Sequence, residues 1–165
     1  MQLALERISE QDEPFLYDVY ASTREEELSV VPWTAAEREA FLRMQFDAQH
    51  RYYRQAFSEA EFSKIVVDGV SVGRLYVDRR PSEIRIIDIA LLPAFRGRGI
   101  GTRLLSTLIA EAEGRGVPVR IHVERMNRAR TLYERLGFAR SGGDAVYELM
   151  ECPPSSRAGG VGGGR

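Results

Sequence analysis

The apolar positions of the chain change their spacing several times, and each change marks a new element. Leu3 to Ile8 reads as a short strand. Ser9 then caps a helix with Asp12 and Glu13 in its first turns, where Phe15, Leu16, Val19 and Tyr20 recur at helical spacing. This helix is expected to run to Val19, with 25–28 adding a further turn. Pro32 breaks the chain, and Thr34 with Glu37 forms a capping box for a helix reaching about Tyr53. Phe41, Met44 and Gln45 share one face of it, continued approximately by Gln49, Tyr52 and Tyr53. Two strands, Phe62–Val67 and Val70–Val77, flank the hairpin signal Asp68-Gly69, and a third runs from Glu83 to Leu92 after a turn at 79–82. Tight turns between three successive strands predict an antiparallel meander. The third strand is apolar on both faces around Ile86–Ile89, as a central, doubly covered strand should be. A helix carrying Leu104, Leu105, Leu108 and Ile109 follows, ending near Gly114 or Gly116. The strand Val117–Val123 is then expected parallel to Glu83–Leu92 through a right-handed crossover. A helix from Met126-Asn127 to the C-cap Gly137 and a last strand region, Phe138 and 145–150, complete the order. The fold class expected is α/β (mixed α+β), a mostly antiparallel mixed sheet with helices on both faces.

Between the third strand of the meander and the next helix lies the stretch PAFRGRGIGTRLL, residues 93–105. Glycines at 97, 99 and 101 allow a tight turn whose amides a ligand can approach closely. The first amides of the following helix have no partner within it, and the helix dipole there favours an anion. Arg96, Arg98 and Arg103 add positive charge, so the chemistry points to a phosphate or pyrophosphate. A plain basic, glycine-rich turn has the same letters. Two nucleotide motifs fail on spacing. The Gly-Lys-Ser/Thr ending of a Walker loop is missing. In a dinucleotide fingerprint the third glycine would fall three residues after the second and the loop would open the fold.

Composition narrows the remaining classes. The chain has 165 residues and 18.6 kDa, most simply one domain over 1–152, with a Gly/Pro/Ser-rich tail at 153–165 that is expected to be disordered. A net charge of −1 gives no ground for a nucleic-acid partner. One cysteine excludes an internal disulfide scaffold and fits a reducing compartment. Two histidines and that cysteine speak against a zinc cluster, and no metal is expected. No apolar run approaches the roughly 20 residues that span a bilayer, so no membrane partner and a cytoplasmic location are expected.

The order meander, glycine loop, helix, strand, helix, strand resembles the Gcn5-related N-acetyltransferase (GNAT) family. Two motifs carry the resemblance: Arg96-Gly97-Arg98-Gly99-Ile100-Gly101, matching Arg/Gln-x-x-Gly-x-Gly/Ala, and NRARTLYERLGF over 127–138. The resemblance implies transfer of an acyl group, usually acetyl, from acetyl-CoA or another acyl-CoA to a primary amine on a small molecule or a protein. It implies a splay between the fourth and fifth strands for the cofactor. Arg96, Arg98, Gly99, Ile100, Gly101 and Thr102 would hold the pyrophosphate, and backbone groups of Ile89 and Leu91 the pantetheine arm. Asn127 and Arg130 would contact the cofactor, although an N-cap and a solvated helix charge are their plain structural readings. Tyr133 corresponds to the tyrosine that protonates the departing sulfur, the amide of Leu91 to the oxyanion donor, and Glu83 to a strand-start base, with an ordered water as the alternative. A packing role for Tyr133 and a solvated role for Glu83 stay open, and His122 reads as a packing or supporting histidine. Trp33, Met44, Gln45, Gln49 and Asp88 are the candidates for the acceptor pocket; Asp88 reads equally well as a buried structural acid. Oligomerisation, a homodimer included, is common in the family, but no residue here specifies a dimer. The rival class is a non-catalytic acyl-CoA-binding module on the same fold.

Overall fold

The computed structural model describes residues 1–125 and 127–155. Seven strands and four α-helices follow one another as β1 (Leu3–Arg7), α1 (Glu13–Ser29), α2 (Ala35–Ala56), β2 (Glu61–Val67), β3 (Val70–Arg79), β4 (Ile84–Leu91), α3 (Ile100–Arg115), β5 (Val119–Glu124), α4 (Arg130–Arg135), β6 (Ala139–Gly143) and β7 (Tyr147–Cys152). The strand order is β1-β2-β3-β4-β5-β7-β6. The expected fold class is met: a mixed α/β chain with one central sheet and flanking helices.

Contacts divide the chain into two compact units, Met1–Asp78 with Ile86–Gly101, and Arg79–Arg85 with Thr102 onward. In the first, β1 pairs antiparallel with β2 and β2 with β3, with a register shift between Ile65 and Val66. Asp68 and Gly69 turn the β2–β3 hairpin with φ of 49° and 80°, the conformation that an Asp-Gly pair favours. Leu16, Tyr20, Leu28, Leu42 and Phe46 form the apolar cluster of α1 and α2, with Trp33 and Phe41 packed against it. Gly73 in β3 is a necessity of packing, because a Cβ there would lie 2.2 Å from the carbonyl oxygen of Ala90 in β4. Lys64, the one lysine beside 22 arginines in the sequence, donates to Asp12 at 2.9 Å and lies 3.7 Å from Glu6. These carboxylates, Asp12 first, hold its pKa above the usual lysine value.

In the second unit, β5 pairs antiparallel with β7 and β7 with β6. Val119, Ile121 and Val123 are buried from β5, Leu104, Leu105, Leu108 and Ala112 from α3.

Three boundaries differ from expectation. The first helix does not stop near Val19; a 3-10 turn at Glu10–Asp12 leads into one helix reaching Ser29. Pro14 suits its first turn, and Leu28 joins the same buried cluster as Leu16 and Tyr20. The α4 helix begins only at Arg130, because Asn127 Oδ1 accepts from the Ala129 amide at 2.9 Å and makes an Asx turn first; Met126, the other half of the predicted start, lies outside the described residues. The last strand region is a hairpin of two strands, β6 and β7. Asp144 Oδ1 accepts from the Val146 and Tyr147 amides, both at 2.8 Å, and so builds its turn. Of the predicted tail, Pro153–Ser155 are in neither helix nor strand, and the rest lies outside the described residues.

Candidate functional site

Two of the three glycines expected in the turn, Gly97 and Gly99, shape it, while Gly101 falls inside α3. A 3-10 turn at Pro93–Phe95 ends β4, and α3 starts at Ile100. Gly97 and Gly99 have φ of 73° and 79°, backbone that side-chain-bearing residues rarely adopt, and a Cβ on either would meet nothing within 4 Å. These glycines are there for the backbone path and for an open approach to it, not to avoid a neighbour. Arg96 Nε donates to the Leu91 carbonyl at 3.0 Å, which ties the turn back to the end of β4, and Arg98 lies over the Phe95 ring at 5.4 Å. Arg96, Arg98, Gly99 and Thr102 are exposed, while Ile100 is buried and anchors the first turn of α3. Exposed amides at a helix start, flanked by two arginines, fit the diphosphate of a coenzyme A thioester.

A second group of residues, in the same unit, surrounds Arg74 of β3. This side chain is 3% exposed, forms an ion pair with Asp88 of β4 and donates from the same nitrogen to Gln49 Oε1 of α2 at 2.9 Å. Its Nε has no acceptor among the described residues. Tyr76, also buried, lies with its ring 5.2 Å from the guanidinium, and burial pushes its phenol pKa up. Two acceptor-pocket candidates, Gln49 and Asp88, are thus brought together by a residue that sequence reasoning passed over. The signal was an arginine and an aspartate, each inside an apolar run, on consecutive strands of a meander. Trp33 instead packs against Phe41, the rings tilted by 53° with 4.9 Å between their centres, at the edge of the α1–α2 cluster. Met44 and Gln45 are exposed. The buried row of α2 is Leu42 and Phe46, one residue round the helix from the face that Phe41, Met44 and Gln45 share.

The second unit holds the other candidates. Glu83, buried just before β4, accepts from Arg80 at 3.1 Å through one oxygen and from Arg120 at 2.9 Å through the other; Arg120 also reaches Glu151 at 3.3 Å. The solvated reading of Glu83 is therefore corrected: it is the centre of an ion network. Tyr133 is 3% exposed, its ring 5.8 Å from Phe138, with the Leu136 and Phe138 amides closing on its carbonyl. Arg130 is paired with Glu134 at 3.1 Å and with the buried Glu148 at 3.0 Å. Asn127 is exposed and engaged in the Asx turn. His122 is an exposed residue of β5 in contact with Arg85, not a packing residue; partial burial and then that guanidinium push its pKa below the usual histidine value.

No helix among the described residues is long and apolar enough to cross a membrane, and no cluster of metal-ligating side chains occurs among them. Comparison with known proteins gives a consistent result. The model of the acetyltransferase (GNAT) family matches residues 15–138. The [ribosomal protein bS18]-alanine N-acetyltransferase of Haemophilus influenzae is 33% identical over 76 residues, 46% of this chain and 52% of that protein, so the match spans about half of the relative. Among solved structures, the PaiA N-acetyltransferase of Thermoplasma acidophilum in complex with coenzyme A superposes with a TM-score of 0.70 at 18% identity, covering 93% of this chain and 99% of the other. The ribosomal-protein-S18-alanine N-acetyltransferase of Escherichia coli gives 0.60 at 22% identity over 97% and 99%. At such identities the structures establish the fold.

Proposed function

The chain belongs to the GNAT acetyltransferase family, and from that premise we propose that it transfers an acetyl or other short acyl group from coenzyme A to a primary amine. The observation that carries this reading is the turn at Gly97 and Gly99, with its left-handed backbone, its open approach and the start of α3 behind it. The amides from Arg98 to Thr102 would hold the pyrophosphate, with Arg96 and Arg98 as flanking charge; main-chain groups of Ile89 and Leu91 would hold the arm. Asn127 and Arg130 are weaker members of this set, because the first serves its turn and the second serves two carboxylates.

The thioester supplies an activated carbonyl. Attack by a neutral amine forms the C–N bond and breaks C–S, and the amine's extra proton has to leave while the thiolate gains one. In this reading the Leu91 amide donates to the carbonyl oxygen as it becomes negative, and the Tyr133 hydroxyl donates a proton to sulfur. Both oxygens of Glu83 are already engaged as acceptors, so the reading gives the amine's proton to an ordered water rather than to Glu83. Asp88 and Gln49, positioned through Arg74, are the residues assigned to the acceptor. The relatives that act on a ribosomal protein's alanine make a peptide N-terminus one member of the acceptor class, beside small amines.

Thiol release from acetyl-CoA, followed with a panel of small amines and alanine-initiated peptides, tests the reading. Release that depends on an amine supports it; binding of coenzyme A without turnover on any amine leaves the binding-module reading instead. Tyr133→Phe is expected to lower kcat by about a hundredfold with little change in coenzyme A affinity, the low end of what a positioned proton donor contributes. An unaltered kcat across the pH range would return Tyr133 to packing against Phe138.

A further inference from the structure

Where the first turns of α1 run beside the C-terminal half of α2, a cavity of about 260 Å³ opens, lined by Ser9, Glu10, Glu13, Leu16, His50 and Arg54. A neighbouring hollow is lined by Glu13, Asp47, His50 and Arg51. Glu13 and His50 belong to both, so the two are bays of one cleft. Asp47, His50, Arg51 and Arg54 fall at i, i+3, i+4 and i+7 of α2 and so share one face of it. Leu16, fully buried, is the one apolar side chain of the lining, and the His50 ring is held by stacking on Phe46, 5.5 Å between centres. None of the residues proposed for coenzyme A or for the acceptor lines either bay.

The first bay carries opposite charges on its two walls, Glu10 and Glu13 on the α1 side and Arg54 on α2, and these charges do not satisfy one another. The side chains of Glu10, Glu13, Asp47, His50 and Arg54 make no hydrogen bond or ion pair among the described residues. Asp12, between the two glutamates in sequence, is by contrast bonded to Lys64 at 2.9 Å. Glu13 and Asp47 are half-buried, where a carboxylate needs a counter-charge. Burial first, and then Arg54, pushes the His50 pKa below the usual histidine value, so near pH 7 its ring is neutral and offers one donor and one acceptor. A lone anion in this cleft would face Glu10 and Glu13, and a lone cation would face Arg54; a zwitterion meets an opposite charge on each wall. With His50 neutral, three carboxylates (Glu10, Glu13 and Asp47) stand against two guanidiniums (Arg51 and Arg54), so one further positive charge on the ligand completes the balance. The cavity is somewhat smaller than the roughly 300–1,000 Å³ of sites for drug-sized ligands, which suits a small metabolite.

We propose that this cleft is a second small-molecule site that takes a free α-amino acid, its ammonium on Glu10 and Glu13 and its carboxylate on Arg54, with preference for a basic side chain that reaches Asp47 in the adjoining bay. Calorimetric titration of the full chain with lysine, alanine and glutamate, and with n-butylamine and acetate as half-ligands, tests this. Coenzyme A is left out, so the result does not depend on the acyl-transfer reading. Lysine is expected to saturate with a Kd of about 1 mM or tighter, at least about tenfold below that of either half-ligand. It is expected to bind about threefold to fivefold more tightly than alanine, the scale of one exposed ion pair, and glutamate is expected to bind most weakly. Arg54→Gln is expected to lower lysine affinity by about tenfold without weakening n-butylamine, whereas Glu13→Gln should weaken both. Both variants are expected to unfold within about 3 °C of the wild type, as substitutions outside the core do. A wild type that does not saturate with lysine by about 20 mM, equal affinities for lysine and n-butylamine, or an Arg54→Gln protein that binds lysine as the wild type does overturns the proposal.

Discussion

Replacing Gly99 by glutamate is expected to remove coenzyme A binding, by at least a hundredfold in Kd. Two effects add. Gly99 has φ of 79°, where any Cβ introduces strain of about 1–2 kcal/mol per residue. The carboxylate also enters a place where the helix dipole and two arginines favour an anion, and it would occupy or repel the position of the phosphates. A hundredfold corresponds to about 2.8 kcal/mol. Gly99→Ala separates the contributions: a methyl there meets nothing within 4 Å, so only the backbone strain remains and a loss of about tenfold is expected. Calorimetric titration with coenzyme A measures both. Equal affinities in wild type and the glutamate variant would show that the phosphates lie elsewhere.

Asp88→Ala should lower stability by about 3 kcal/mol, because it strands the Arg74 guanidinium, 3% exposed, without its carboxylate. In a chain of this size that is on the order of 10 °C in Tm. Exchange of both members, Arg74→Met with Asp88→Leu, is expected to recover most of the stability, since the cost lies in the unpaired charge rather than in the lost attraction. The same double variant separates folding from acceptor recognition: it should stay folded and bind coenzyme A while losing saturation by the amine. Thermal unfolding of the three proteins decides the first point. An Asp88→Ala protein as stable as wild type would mean that Arg74 and Asp88 are not a buried pair.

Most of the element order was legible because burial follows spacing. Thr34 and Glu37 announce α2, and Gly97 and Gly99 take the backbone that their glycines allow; of the strand expected to be covered on both faces around Ile86–Ile89, Ile84 and Ile86 are buried while 87–91 are half-buried. What escaped was decided by groups far apart in sequence. Nothing in Ser141-Gly142-Gly143-Asp144 distinguishes a turn-rich end from a hairpin until β7 lies between β5 and β6. The inward face of α2 could not be read from the helix alone, because Phe41 and Met44 are as apolar as Leu42 and Phe46, and only the α1 partners decide between them. Glu83 looked like a lone strand-start carboxylate; its partners Arg80 and Arg120 come from a turn and from β5. Arg74 was overlooked for the same reason, as its acidic partner is 14 residues away on the next strand.

The salt-bridged ammonium of Lys64 has a further consequence. Thioesters acylate lysines only through the unprotonated amine, and Asp12 and Glu6 push the pKa of the sole lysine side chain of this sequence up, which lowers its unprotonated fraction. The one lysine of the polypeptide is therefore less reactive toward the donor than an unpaired lysine would be. Prolonged incubation with acetyl-CoA followed by peptide mass mapping should find Lys64 unmodified, whereas Asp12→Asn, which removes one of the two carboxylates, should let it acquire an acetyl mark. Self-labelling at this position in the wild type would mean that the clamp opens readily in solution.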